Sequence, residues 1–203
     1  RLVGAARHQD RAGIGNALTT AEHQEDMQIL RDMGANTVRL AHYQHAQYFY
    51  DLCDKYGLVA WAEIPYITEH MPEATANTLS QMEELVLQNY NHPSIICWGL
   101  SNEITVTTGV TENLTANHRL LNDLCHRLDV TRPTTMAHAF MLDPNDPFVQ
   151  LPDICSYNLY YGWYLGELQQ NDEFFDTFHK NHPDRVIGLS EFGADANPAY
   201  QSA

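Results

Sequence analysis

Short apolar runs that end abruptly in polar or charged residues recur along this chain, and amphipathic stretches separate them. The runs are too short for helices and rich in β-branched and aromatic residues, the signature of buried strands. Strands are expected at 2–6, 37–40, 58–62, 95–100, 134–137, 154–157 and 186–190. Helices are expected over 20–33, 47–56, 78–90, 115–128 and 173–180. Thr20 reads as the cap of the first helix and Gly34 as its stop, with Met27, Ile29, Leu30 and Met33 on its apolar face. Gly57 should stop the second helix. The third carries Leu79, Met82, Leu85, Val86 and Tyr90 on one side. Three prolines between 143 and 152 predict a loop where another helix would otherwise come.

Strands alternating with helices imply parallel pairing, in either an open doubly wound sheet or a closed barrel. The polar residues decide between them. His8 follows the first strand, Arg39 and His42 lie at and beyond the end of the second, Glu63 follows the third, Asn102 and Glu103 the fourth, His138 the fifth, Asn158 and Tyr160 the sixth, and Glu191 the seventh. Polar chemistry after every strand suits a barrel, where all strand-to-helix loops converge on one mouth. An open sheet would gather it at one switch point, and no GxGxxG loop marks such a crevice. The expected fold is therefore a (β/α)8 TIM barrel. Seven of its eight strands are present, since only 12 residues follow Glu191. Residues 1–203 read as a single barrel domain, a piece of a longer chain.

Eleven Lys and Arg against 26 Asp and Glu give a net charge of −15. That balance argues against a nucleic-acid or anionic-membrane partner, both of which require basic patches. No apolar run approaches the roughly 18 residues of a membrane span. Cys53, Cys97, Cys125 and Cys155 stand singly in apolar surroundings with no CxxC, and are read as buried free thiols. This leans towards a reducing, cytoplasmic compartment without fixing one.

Two segments carry the chemistry. Ile96-Cys97-Trp98-Gly99-Leu100-Ser101-Asn102-Glu103 and Val186-Ile187-Gly188-Leu189-Ser190-Glu191 are both apolar strands that end in a carboxylate. A single Glu after a strand is more often a loop cap than a catalyst. Two in matching positions on one barrel mouth can face each other across a sugar, as glycoside hydrolysis requires. An arginine buried in a strand demands a carboxylate partner, so Arg39 is expected to be paired. The aromatic run Tyr157, Tyr160, Tyr161, Trp163, Tyr164 suits sugar faces, with Tyr160 and Trp163 assigned to the site and the rest to the core.

The segments RLVGAARHQD, NTVRLAHYQH, YDLCDKYGLVAWAE, NHPSIICWGLSNE, SYNLYYGWY and LSEFGA, in this order, resemble the catalytic barrel of glycoside hydrolase family 2, the β-galactosidase and β-glucuronidase family. The resemblance implies that Glu103 is the general acid/base and Glu191 the nucleophile of a retaining mechanism. It implies that Arg39 holds the nucleophile, that Tyr160 bonds to it, and that Asn102 binds the sugar 2-hydroxyl. His8 and His42 would line the glycone pocket, with Asn158 and Trp163 as further sugar contacts. His138 is left without a role.

The chain departs from the best-studied β-galactosidases at Ala62-Glu63, where they carry Asp-Glu, and at Ala194, where they carry histidine. The Asn-x-Lys pair that reads a glucuronide carboxylate would lie beyond residue 203. The expected activity is a retaining exo-β-glycosidase acting on terminal β-linked sugars. A β-galactosidase is favoured, with β-glucuronidase the alternative and β-mannosidase third. No cofactor is expected and no metal is assigned, because Glu69-His70 does not match the family's magnesium spacing cleanly. From other classes, a metal-dependent hydrolase is weakened by RHQD in place of an HxH pair. A non-catalytic carbohydrate-binding barrel is weakened by the two intact glutamates.

Overall fold

The computed structural model describes residues 1–194. Seven strands, β1 (Gly4–Arg7), β2 (Thr37–Leu40), β3 (Val59–Glu63), β4 (Ile95–Asn102), β5 (Thr134–Ala139), β6 (Ile154–Asn158) and β7 (Val186–Glu191), alternate with five helices. These are α1 (Thr20–Asp32), α2 (Gln47–Tyr56), α3 (Thr75–Asn89), α4 (Glu112–Leu128) and α5 (Gln170–Asn181). All neighbouring strands pair in parallel, in the order β1-β2-β3-β4-β5-β6-β7. The sheet curls until β1 and β7 approach each other. Arg39 on β2 bonds Glu191 on β7 at 2.7 Å, although strands five places apart in a flat sheet would lie roughly 24 Å from each other. This is the (β/α)8 barrel architecture with seven strands in the described residues.

Local sequence explains the helix boundaries, with corrections of a residue or a few. The cap of α1 is Thr19, whose side chain and that of Glu22 form a reciprocal capping box. Its buried face is His23, Met27 and Leu30, an i, i+4, i+7 stripe. Of the residues expected on that face, Ile29 is 55% exposed because it falls off the stripe, and Met33 is 62% exposed because it is the cap beyond the last helical residue. Tyr90 likewise lies beyond the end of α3 and is exposed. Gly57 ends α2 in the left-handed conformation, as expected. The segment 143–152 forms neither helix nor strand. It covers the outer face of β5 and β6 by burying Phe148 and Val149.

The main core fills the space between the strands β2 to β5 and the helices α1 to α4, with Leu40, Phe49, Tyr50, Leu85, Trp98 and Leu121 among its members. A smaller cluster lies between β6, β7 and α5. Cys53, Cys97, Cys125 and Cys155 are buried free thiols. Burial pushes the Cys53, Cys97 and Cys125 thiols up to about 12. Among the described residues, no helix is long and apolar enough to cross a membrane.

Candidate active site

Strand parity selects which side chains reach the barrel interior. Arg39 and Glu63 point inward from β2 and β3, and Asn158 from β6, while the residues beside them pack outward. On β4 the alternation is interrupted by a register shift between Gly99 and Asn102. Gly99 lies against Trp61 and Glu63 inside the barrel, and Ser101 bonds His118 of α4 outside it. Asn102 then returns to the interior, against Arg39. A Cβ at Gly99 would sit 2.5 Å from both Glu63 Cβ and Trp61 Nε1, so only glycine admits that approach.

Arg39 is the hub. Its side chain is 5% exposed and lies over the Trp61 ring, 4.9 Å from the centroid. Nη1 donates to Glu191 Oε1 at 2.7 Å, and Nη2 to Asn102 Oδ1 at 2.8 Å and Glu63 Oε2 at 3.0 Å. Burying a guanidinium is unfavourable unless it is paired and hydrogen-bonded, and two carboxylates meet that demand here. Glu63 is 1% exposed and also accepts from Trp61 Nε1 at 3.0 Å. His42 bridges the two acids, with Nδ1 2.8 Å from Glu63 Oε1 and Nε2 3.6 Å from Glu191 Oε1.

Glu191 has a donor at each oxygen: Arg39 at Oε1, and Tyr160, whose hydroxyl donates to Oε2 at 2.6 Å. The Tyr160 hydroxyl is held well above its usual range by burial, then by its bond to Glu191, so it stays protonated and donating. Glu103 follows β4 directly, with φ +45, a left-handed backbone seldom adopted by a residue with a side chain. Its N–H donates to Ala137 O at 2.8 Å, and its Oε1 accepts from Asn158 Nδ2 at 2.9 Å. Asn102 Oδ1 accepts from Arg39 and, at 3.2 Å, from Asn158 Nδ2. With its oxygen engaged by two donors, Asn102 has only its NH2 left for a further bond, as a donor.

Arg39, His42, Asn102, Glu103, Asn158, Tyr160 and Glu191 thus converge on one end of the barrel. His8 is at the rim, its ring edge-on to His42 with centroids 5.1 Å apart. Burial, then the neighbouring His42, holds the His8 imidazole below its usual range. Trp163 stands further out on the β6–α5 loop and is joined to the cluster through Tyr164 and Tyr160. His138 is not at the mouth. It lies within β5, not after it, and points outward against Phe148 and Tyr157. Burial pushes it down to about 3, so it is a neutral core residue.

Two residues not assigned from sequence join the site. From sequence Glu63 reads only as a strand end, although the need of a buried Arg39 for counter-charge points to it. Ser190, whose hydroxyl donates to Asn158 Oδ1 at 2.7 Å, carried no signal beyond its place beside Glu191.

A family model for glycosyl hydrolases family 2, TIM barrel domain, matches residues 1–201. A beta-glucuronidase of Bacteroides fragilis is 43% identical over an alignment of 209 positions that covers 98% of this chain and 29% of that relative. The solved structure of an FMN-binding beta-glucuronidase from Facaelibacterium prausnitzii L2-6 superposes with a TM-score of 0.94 at 46% identity, covering 99% of this chain and 31% of that one. A Bacteroides fragilis structure described provisionally as a beta-galactosidase gives a TM-score of 0.90 at 39% identity, covering 97% of this chain and 29% of that one. The chain spans less than a third of the length of each of these relatives. With almost every residue matched, the chain belongs to the TIM barrel domain family of glycosyl hydrolases family 2.

Proposed function

We propose that the full-length protein is a retaining exo-β-glycosidase in which Glu191 attacks the anomeric carbon and Glu103 protonates the leaving oxygen. Glu103 then takes a proton from the water that releases the sugar from Glu191. The observation that carries this reading is the asymmetry of the two acids. Glu191 is held at both oxygens, by Arg39 and Tyr160, as suits a nucleophile that must present a fixed atom. Glu103 begins a loop and has an amide at one oxygen, which leaves the other to meet a leaving group. Asn102 offers its NH2 to the sugar 2-hydroxyl. Because the chain spans less than a third of these relatives, further domains of the same longer chain are part of the proposal.

For the sugar, we favour a β-glucuronide over the β-galactoside expected from sequence. Beta-glucuronidases from Bacteroides fragilis and mouse are among the relatives, at 43% and 31% identity. The test is the full-length enzyme with p-nitrophenyl β-D-glucuronide and β-D-galactoside side by side, with early product read by proton NMR. Glucuronide turnover that releases the β-anomer first is expected. Galactoside preference would overturn the sugar, and α-anomer first would overturn the mechanism.

A further inference from the structure

Ser190 has no part in the steps above, yet it links the two acids. It precedes Glu191 on β7, and its hydroxyl donates to Asn158 Oδ1 on β6 at 2.7 Å. The other end of that amide donates to Glu103 Oε1 at 2.9 Å and Asn102 Oδ1 at 3.2 Å. An amide offers an acceptor on one side and donors on the other. Turned over, Asn158 would set its oxygen against the oxygens of Asn102 and Glu103. Asn102 cannot relieve that clash by turning, because Arg39 donates to its oxygen as well. Arg39 and Asn102 thus set which way the Asn158 amide faces, and the Ser190 hydroxyl, donating to its oxygen, holds the amide in place.

Glu103 depends on this linkage more than Glu191 does. It sits one residue past its strand on a left-handed backbone, and Asn158 fixes one of its carboxyl oxygens. Glu191 ends a strand and is held by Arg39 and Tyr160 independently of Asn158.

We infer that Ser190 is a positioning residue for Glu103: by fixing the Asn158 amide, it aims the Glu103 carboxyl at the leaving-group oxygen. This rests on the glycosidase reading above. Losing the hydroxyl should therefore impair proton donation selectively and leave nucleophilic attack intact. A loosened acid matters most where the leaving group is poor, because a stable phenolate departs without a proton.

The experiment compares wild type, Ser190→Ala and Ser190→Thr in the full-length enzyme, on aryl β-D-glucuronides and β-D-galactosides whose phenols run from dinitrophenol to phenol. It reads kcat/KM, which reports the step that forms the glycosyl-enzyme. In Ser190→Ala, the phenyl glycoside should lose roughly tenfold and the dinitrophenyl glycoside less than about twofold. Ser190→Thr, which keeps the hydroxyl, should restore the phenyl rate. Equal losses on both substrates, or no loss on either, would overturn the positioning role. A wild type inert on every aryl glycoside would overturn the glycosidase reading itself, and the positioning role with it.

Discussion

Two polar clusters lie on opposite faces of the sheet and meet at β4, where Ser101 belongs to one and Asn102 to the other. Inside the barrel, Arg39, Glu63, Asn102, Asn158 and Glu191 form a charged network in which one guanidinium serves two carboxylates. Outside it, Ser101, His118 and His138 lie among Tyr66, Phe148 and Tyr157. Burial lowers His118 to about 4 and His138 to about 3, so this cluster is neutral. Both are largely out of water, but only the inner one is charged, and only it gathers at the barrel mouth. Burying polar groups is thus no mark of a site. What marks the inner cluster is charge kept in place by opposite charge where a ligand can arrive.

The contrast is broken most severely at the acids. Glu191→Gln in the full-length enzyme should lower kcat by roughly 10⁴-fold or more, since the attacking atom is lost. Glu103→Gln should cost about 10²–10⁴-fold with poor leaving groups and spare activated ones. Steady-state rates on both substrate types check the pair, and an equal loss on both in Glu103→Gln would overturn the assigned roles.

Next comes the hub. Lysine cannot reproduce the fork with which Arg39 reaches Glu191, Asn102 and Glu63. Arg39→Lys should cut kcat/KM by about 10²-fold and, by leaving buried acids imperfectly paired, cost up to about 3–5 kcal/mol of stability. Assays and denaturant melts of one preparation measure both. Gly99→Ala tests the inner face sterically. Its Cβ would strike Glu63 and Trp61, and a loss of about 1–3 kcal/mol is expected.

The smallest effect belongs to the outer cluster. At neutral pH, His138→Leu should change stability by no more than about 1 kcal/mol, because Nε2 of His138 has no hydrogen-bond partner among the described residues. Its signature is in pH. Unfolded histidine takes up a proton near 6.5, whereas the folded group does so only near 3. The unfolded state therefore binds more protons between those values, and stability falls as pH drops below about 6.5. Removing His138 should flatten that slope by up to about 1.4 kcal/mol per pH unit, read from melts across pH 4 to 7. An unchanged slope would show that this histidine is not buried as described.

Much of this was legible in the chain. Glu103 and Glu191 stand out because an apolar strand that stops at a carboxylate is a local pattern. The pairing of Arg39 followed from the penalty of burying a lone charge. His138 could not be placed, because whether a strand-end residue faces in or out depends on strand phase, and the run 134–139 is apolar or neutral on both faces. Ile29 and Met33 went astray because α1 is packed against the barrel along one narrow stripe only.

The sequence by itself determined the strand–helix alternation, the order of the polar strand ends and the two glutamates, Glu103 and Glu191, at the ends of apolar strands. Those follow from periodicity and from residue chemistry within a few positions. Only the tertiary structure decided that Arg39 meets Glu191 across 152 residues of chain, that the shift after Gly99 turns Asn102 inward, and that Ser190 reaches Glu103 through Asn158. Closure of the sheet and strand phase set those contacts. Both are properties of how whole strands pair, and no short segment encodes them.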